Sequence, residues 1–275
     1  MQSSPSFIES FIRSRVAERV TQGHAPILLM SHLVLGFPSL EENQQVIDAM
    51  ANNGVDLMEL QIPFSEPIAD GPVIAQANQV SLDNGFRVAD GLAFIGENVQ
   101  RHPEVIFLIM TYCNILMAYG VERFIQQAAR LGVRGVIVPD WPPQVAQEAM
   151  AVCRAEGLEW IQLMTPTCSD ERLNYIGNQA QGFCYCVARK GVTGRKTEFD
   201  AELTHFLQRC RGATTTPLAV GFGVKTAEDV QSLVGQAEIA VVGTAALEIH
   251  ARGGAQAVGE FFKGLVGMPQ PFLKP

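Results

Sequence analysis

Eight short apolar, β-rich runs recur along the chain, and amphipathic stretches of helical period lie between them. The runs are 27–35, 55–62, 105–111, 133–138, 158–164, 182–187, 218–222 and 239–243. The amphipathic stretches include 41–53, 121–131, 144–156, 201–211 and 227–234, and a further helical segment, 7–20, precedes the first run. Strands of this length alternating with helices imply right-handed parallel βαβ units. Nearly continuous hydrophobicity within each run implies that both faces are covered. The pattern therefore predicts an α/β protein, a (β/α)8 TIM barrel with an extra N-terminal helix, filling residues 1–275 as a single domain. An open doubly wound sheet is the competing arrangement. It usually carries GxGxxG after its first strand, whereas the first run here ends Leu35-Gly36-Phe37-Pro38. A later Gly221-Phe222-Gly223 follows the seventh run and lacks a third glycine.

Composition removes several function classes. With 20 Lys and Arg against 28 Asp and Glu, the net charge of −8 disfavours nucleic acid as a partner. No run of 18 uncharged apolar residues is present, so no membrane span is expected. Charges spread through the first twenty residues are unlike a secretory signal, and a cytoplasmic location is expected. Cysteines stand at 113, 153, 168, 184, 186 and 210. On a strand, Cys184 and Cys186 point the same way from adjacent pleats, a geometry unsuited to a disulfide. Without paired CxxC spacing or an HxxxH or HExxH motif, reduced thiols and no metal site are expected.

In a barrel, chemistry collects where strands end and βα loops begin. The second run reads Val55-Asp56-Leu57-Met58-Glu59-Leu60-Gln61-Ile62, and alternation puts Leu57, Glu59 and Gln61 on one face. A carboxylate enclosed there is costly unless paired or protonated, which suits Glu59 to general acid–base work or to a structural pairing. The next loop, Pro63-Phe64-Ser65-Glu66-Pro67-Ile68-Ala69-Asp70-Gly71-Pro72, is stiffened by its prolines. Asp70 is either a helix N-cap ahead of Pro72 or the second member of a carboxylate pair with Glu59. Glycine junctions at Gly191-Val192-Thr193-Gly194, Gly221-Phe222-Gly223 and Gly243-Thr244 follow the last three runs, where barrel loops commonly hold phosphate. Arg189, Lys190, Arg195 and Lys196 flank the first of these and are able to steer an anion. His24, His102, His205 and His250 fall on turns or helix faces where exposure is expected, and His32 lies within the first run.

The segment from Glu59 through Leu60-Gln61-Ile62-Pro63-Phe64-Ser65-Glu66-Pro67-Ile68-Ala69-Asp70-Gly71-Pro72 resembles the signature of the tryptophan synthase alpha subunit family. The likeness continues through Met110-Thr111-Tyr112-Cys113-Asn114, Val138-Pro139-Asp140 and the three glycine junctions. The resemblance implies a barrel lyase that cleaves indole-3-glycerol phosphate, by a retro-aldol step, to indole and glyceraldehyde 3-phosphate. It implies Glu59 as the acid–base residue and Asp70 as the carboxylate that meets the indole N–H. Tyr185, Thr193, Gly194, Phe222, Gly223, Gly243 and Thr244 become substrate-binding positions, the glycines and Thr244 at the phosphate. It also implies an αββα complex with a beta subunit that carries pyridoxal phosphate, while this chain needs no cofactor. Pro63, Glu66 and Pro67 would face that partner. Six positions depart from the family pattern: His32 replaces an aromatic residue, Gln61 a glycine, Glu66 an aspartate, Phe183 a tyrosine, Lys190 a small residue and Thr244 a serine.

Overall fold

The computed structural model describes residues 5–188, 196–221 and 223–266, without the side chains of 196–200. The chain opens with helix α1 (Phe7–Thr21), then β1 (Leu28–Val34), α2 (Leu40–Ala51), β2 (Leu57–Gln61), α3 (Pro72–Asp83), α4 (Val88–Arg101) and β3 (Ile106–Met110). It continues through α5 (Cys113–Tyr119), α6 (Val121–Arg130), β4 (Gly135–Ile137), α7 (Gln147–Ala155), β5 (Glu159–Met164) and α8 (Asp170–Gln179). The last elements are β6 (Cys184–Val187), α9 (Lys196–Ala213), β7 (Leu218–Gly221), α10 (Ala227–Leu233), β8 (Ile239–Val242) and α11 (Thr244–Val266). The eight strands follow one another in chain order as a closed parallel barrel, preceded by α1, as the alternation of runs and helices requires.

Local chemistry starts the helices. Ser6, Ser39 and Ser169 accept the N3 amides of α1, α2 and α8, and Thr226 with Asp229 closes a capping box on α10. Pro72 takes the first turn of α3, where its missing N–H costs nothing. Gly120, at φ 93°, separates α5 from α6, and Gly254, at φ 67°, interrupts α11. The sequence pattern did not mark α4, α5 or α8. Helix α5 is seven residues long and α8 buries only Leu173 and Ile176, too short a stripe for periodicity to separate them from loops.

Two compact units share the chain. One comprises the described residues of Met1–Leu29, Ile161–Val242 and Gly264–Pro275, and the other Met30–Trp160 and Gly243–Lys263. In the first, β6 pairs in parallel with β5 and β7, setting Cys184 beside Gln162 and Leu218 and Cys186 beside Met164 and Val220. Cys184, Cys186 and Cys210 are buried, and all six cysteines are free thiols. Burial pushes the Cys184 thiol up to about 12, and a hydrogen bond to Cys210 together with burial holds Cys186 well above the usual thiol range. These are packing groups, not nucleophiles. In the second unit, β1, β2, β3 and β4 pair in order, and all their residues are buried.

Helices α8 and α9 meet closely enough at Gly177 that a Cβ there would run into the carbonyl of Ala213. Backbone cannot swing aside as a flexible side chain can. Gly177→Ala is therefore expected to destabilise the chain by about 1–3 kcal/mol despite its better helix propensity. A lowering of the thermal midpoint by several degrees in calorimetry checks this; an unchanged midpoint contradicts it.

Candidate active site

The register of β1 on β2 sets His32 beside Glu59 and Val34 beside Gln61. Period-two alternation turns Glu59 and Gln61 to the same side of β2. Glu59 is 3% exposed and Gln61 fully buried, so both polar groups depend on protein partners rather than water. His32 Nδ1 stands 3.4 Å from Glu59 Oε2, with both side chains under a tenth exposed. Burial alone would lower the pKa of His32. The negative charge and hydrogen-bonding of Glu59, followed by the charge of Asp70, outweigh it and raise the value above 6.5. The imidazole is thereby favoured as a cation facing acidic groups.

Asp70 is not the cap of α3. The cap position is Gly71, with no side-chain cap bond, and this leaves the Asp70 carboxylate to other donors. Gln61 Nε2 donates to Asp70 Oδ2 at 2.7 Å, and the Tyr112 hydroxyl donates to the same oxygen at 3.1 Å. That hydroxyl in turn accepts the Ala69 N–H at 3.2 Å. Burial and the neighbouring Asp70 charge hold the Tyr112 phenol far above its usual range, so it remains a donor at all ordinary pH. Fully buried Asn78 ties the loop from below. Its Oδ1 accepts the Phe64 N–H at 2.9 Å and lies 3.3 Å from Gln61 Nε2, while its Nδ2 donates to the Ile74 carbonyl at 2.8 Å. Phe64 stacks on Tyr112 at 5.1 Å between ring centroids. The loop between β2 and α3 is thus held by side chains from β2, from the first turns of α3 and from the second residue after β3. Sequence reasoning assigned no task to Tyr112 or Asn78, because their partners lie 42 and 14 residues away in the chain.

The remaining expected positions are distributed as follows. Gly243 and Thr244 stand at the junction of β8 and α11, and a side chain at Gly243 would approach the His32 side chain to 3.5 Å. Tyr185 is half-buried on β6, its ring close enough to Gly221 that a Cβ there would lie 3.0 Å from Cε1. Gly223 takes φ 84°, a backbone conformation suited to glycine, with open space where a side chain would go. Thr193, Gly194 and Phe222 lie outside the described residues, as do Arg189, Lys190 and Arg195 and the side chain of Lys196. Pro63 is buried, so of the three residues expected at a partner surface only exposed Glu66 and half-buried Pro67 offer one. Beside them Ile68 is 75% exposed, an apolar group that the sequence reading passed over.

The expected exposure of the four other histidines also needs correction. His102 is buried, with Nε2 2.7 Å from Asp48 Oδ1, and His24 and His250 are half-buried; only His205 is exposed. Asp48 lies on α2, 54 residues away, so no local pattern announces the pairing. Among the described residues no three His, Cys, Asp or Glu side chains are grouped to hold a metal ion.

Removing the Tyr112 hydroxyl takes one of two donors from Asp70 Oδ2 and removes the acceptor of the Ala69 N–H. Tyr112→Phe is expected to cost about 1–3 kcal/mol, the range for losing a hydrogen bond to a charged group. Urea denaturation followed by far-ultraviolet circular dichroism reads this as a lower midpoint at unchanged slope.

The sequence matches the model of the family described as "Tryptophan synthase alpha chain" over residues 21–261. It is similar to the tryptophan synthase alpha chain of Desulfotalea psychrophila, 48% identical over 87% of this chain and 94% of that one. It is similar also to that of Desulforapulum autotrophicum, 45% identical over 94% and 99%. Among solved structures, Mycobacterium tuberculosis tryptophan synthase superposes with a TM-score of 0.84 at 27% identity, covering 95% of this chain and 97% of that one. The tryptophan synthase complex of Pyrococcus furiosus superposes with a TM-score of 0.79 at 31% identity, covering 88% and 98%.

Proposed function

This chain belongs to the tryptophan synthase alpha chain family, and we propose that its own residues cleave indole-3-glycerol phosphate into indole and glyceraldehyde 3-phosphate. The observation that carries the assignment is the carboxylate pair on β2 and the loop after it: buried Glu59 beside His32, and half-buried Asp70 fixed by two donors. The chemistry needs such a pair. Indole C3 must gain a proton before it can leave as a carbon, and the glycerol hydroxyl beside the scissile bond must lose one. Glu59 moves these protons. Asp70 meets the indole N–H and stabilises the positive charge that C3 protonation places on the ring.

Gly243 and Thr244, at the start of α11, offer backbone N–H groups and a helix N-terminus to the phosphate. Gly194 and Gly223 take the same task by their match to the family motif, and Tyr185, Thr193 and Phe222 line the substrate. The closed strand order supports reading residues 1–275 as one barrel domain.

A beta chain bearing pyridoxal phosphate is the proposed partner, and this chain carries no cofactor of its own. Support comes from apolar side chains left in water. Ile68 follows β2, Met117 lies on α5 after β3, and Val145 lies after β4, at 75%, 58% and 67% exposure. No described helix is long and apolar enough to cross a membrane.

Release of glyceraldehyde 3-phosphate by the full chain, alone and with a beta chain, tests the assignment. Glu59→Gln and Asp70→Asn are each expected to reduce turnover by about 10²–10⁴-fold while thermal unfolding stays a single transition. Near-native turnover in Glu59→Gln would remove the acid–base role.

A further inference from the structure

Glu59 and Asp70 each meet a buried polar residue, His32 and Gln61 respectively. Gln61 Nε2 donates to Asp70, which fixes the amide so that its Oε1 is turned away from that carboxylate. Gln61 Oε1, His32 Nε2 and Glu59 Oε2 are all buried without a hydrogen-bond partner. Gln61 Oε1 is an acceptor and His32 Nε2, on an imidazolium, a donor, and Gln61 lies near enough to favour the charged form of His32. The other ring nitrogen of His32 faces Glu59 Oε2. We propose that His32 and Gln61 link Glu59 and Asp70 into one chain of side chains, in which His32 stores the proton that Glu59 delivers to the substrate.

The inference rests on the reading of Glu59 as the acid–base group and adds the source of its proton. With His32 charged and Glu59 ionised, the pair holds one mobile proton. It passes from His32 Nδ1 to Glu59 Oε2, and Glu59 then gives it to indole C3. When the C–C bond breaks, its electron pair returns to the indole ring, the glycerol hydroxyl becomes the aldehyde, and its proton goes to Glu59 and back to His32. Protons and electrons balance with no further reactant. His32 acts through Glu59 and so is a positioning residue. Gln61 keeps the imidazole ring in register and ties its charge to Asp70, which stays bound to Gln61 throughout.

The groups facing His32 are Glu59 and Gln61 on β2 and Asp70 in the following loop. Across a small cavity lined by both rings stands His250 of α11, itself held 3.2 Å from Glu42 of α2. The two acidic neighbours favour the charged ring, so the stored proton survives above pH 6.5 and is lost as the pH rises through the titration of His32.

Two measurements on the full chain test this. In the first, histidine is labelled at Cε1, and the His32 resonance is assigned by its absence from His32→Gln. Its titration midpoint is expected above 6.5 in the wild-type chain and lower in Glu59→Gln. A midpoint at or below 6.5, or one that Glu59→Gln leaves in place, overturns the proposal. In the second, kcat is followed against pH. The wild-type value is expected to fall about tenfold per pH unit above the midpoint, the slope of a single lost proton. His32→Gln, which keeps a hydrogen-bonding side chain but stores no proton, is expected to lie at least about tenfold lower and to lack that limb. Superimposable profiles overturn the proposal. If the wild-type chain cleaves nothing, the assigned reaction fails, and the resonance measurement still decides whether the linked chain exists.

Discussion

Accommodating two acidic side chains, Glu59 with almost no water around it and Asp70 half-buried in the loop that follows, is the constraint from which the rest of the site follows. The effective cost of burying an ion is several kcal/mol unless opposite charge and hydrogen bonds offset it. Glu59 is 3% exposed and meets His32; Asp70 receives Gln61 and Tyr112. Each of these partners makes a further demand in turn. Gln61 and the amide of Phe64 need Asn78, and the Tyr112 hydroxyl takes the Ala69 amide. The loop after β2 is stiff because the carboxylates are so partnered, and not only because it is rich in proline.

Parallel strands suit this arrangement because their side chains keep a common height. His32 and Glu59 are register partners on adjacent strands, so the cation is delivered beside the carboxylate without any loop to position it. Elements of regular structure hold such pairs more tightly than loops do. The loops are left free to differ, and it is there that Ile68, Met117 and Val145 stay uncovered.

Much of the architecture was legible beforehand. Each of the eight apolar runs contains one strand, trimmed by one or two residues at its ends. Helices with long apolar stripes, such as α2 and α6, were visible; α8, with two buried residues, was not. Within the site, Glu59 stood out because a charge inside an apolar strand is rare. Asp70 was ambiguous, since a residue two places before a proline at a helix start fits a cap as well as a ligand. Only the backbone at Gly71, extended and without a side-chain cap, separates the two. His102 shows the opposite failure: a solitary histidine at a helix end is surface by default, yet Asp48 on another helix draws it inside.

The order of the strands, and the oddity of Glu59, were determined by the sequence itself, because periodicity and an acidic residue in an apolar run are local properties. What only the tertiary structure decided is the company those carboxylates keep. His32 reaches Glu59 across 27 positions of chain, and Tyr112 reaches Asp70 across 42. Such pairings depend on strand register and on how far each strand projects into the barrel. Those quantities are set by packing the whole set of strands at once, and no window of neighbouring residues contains them.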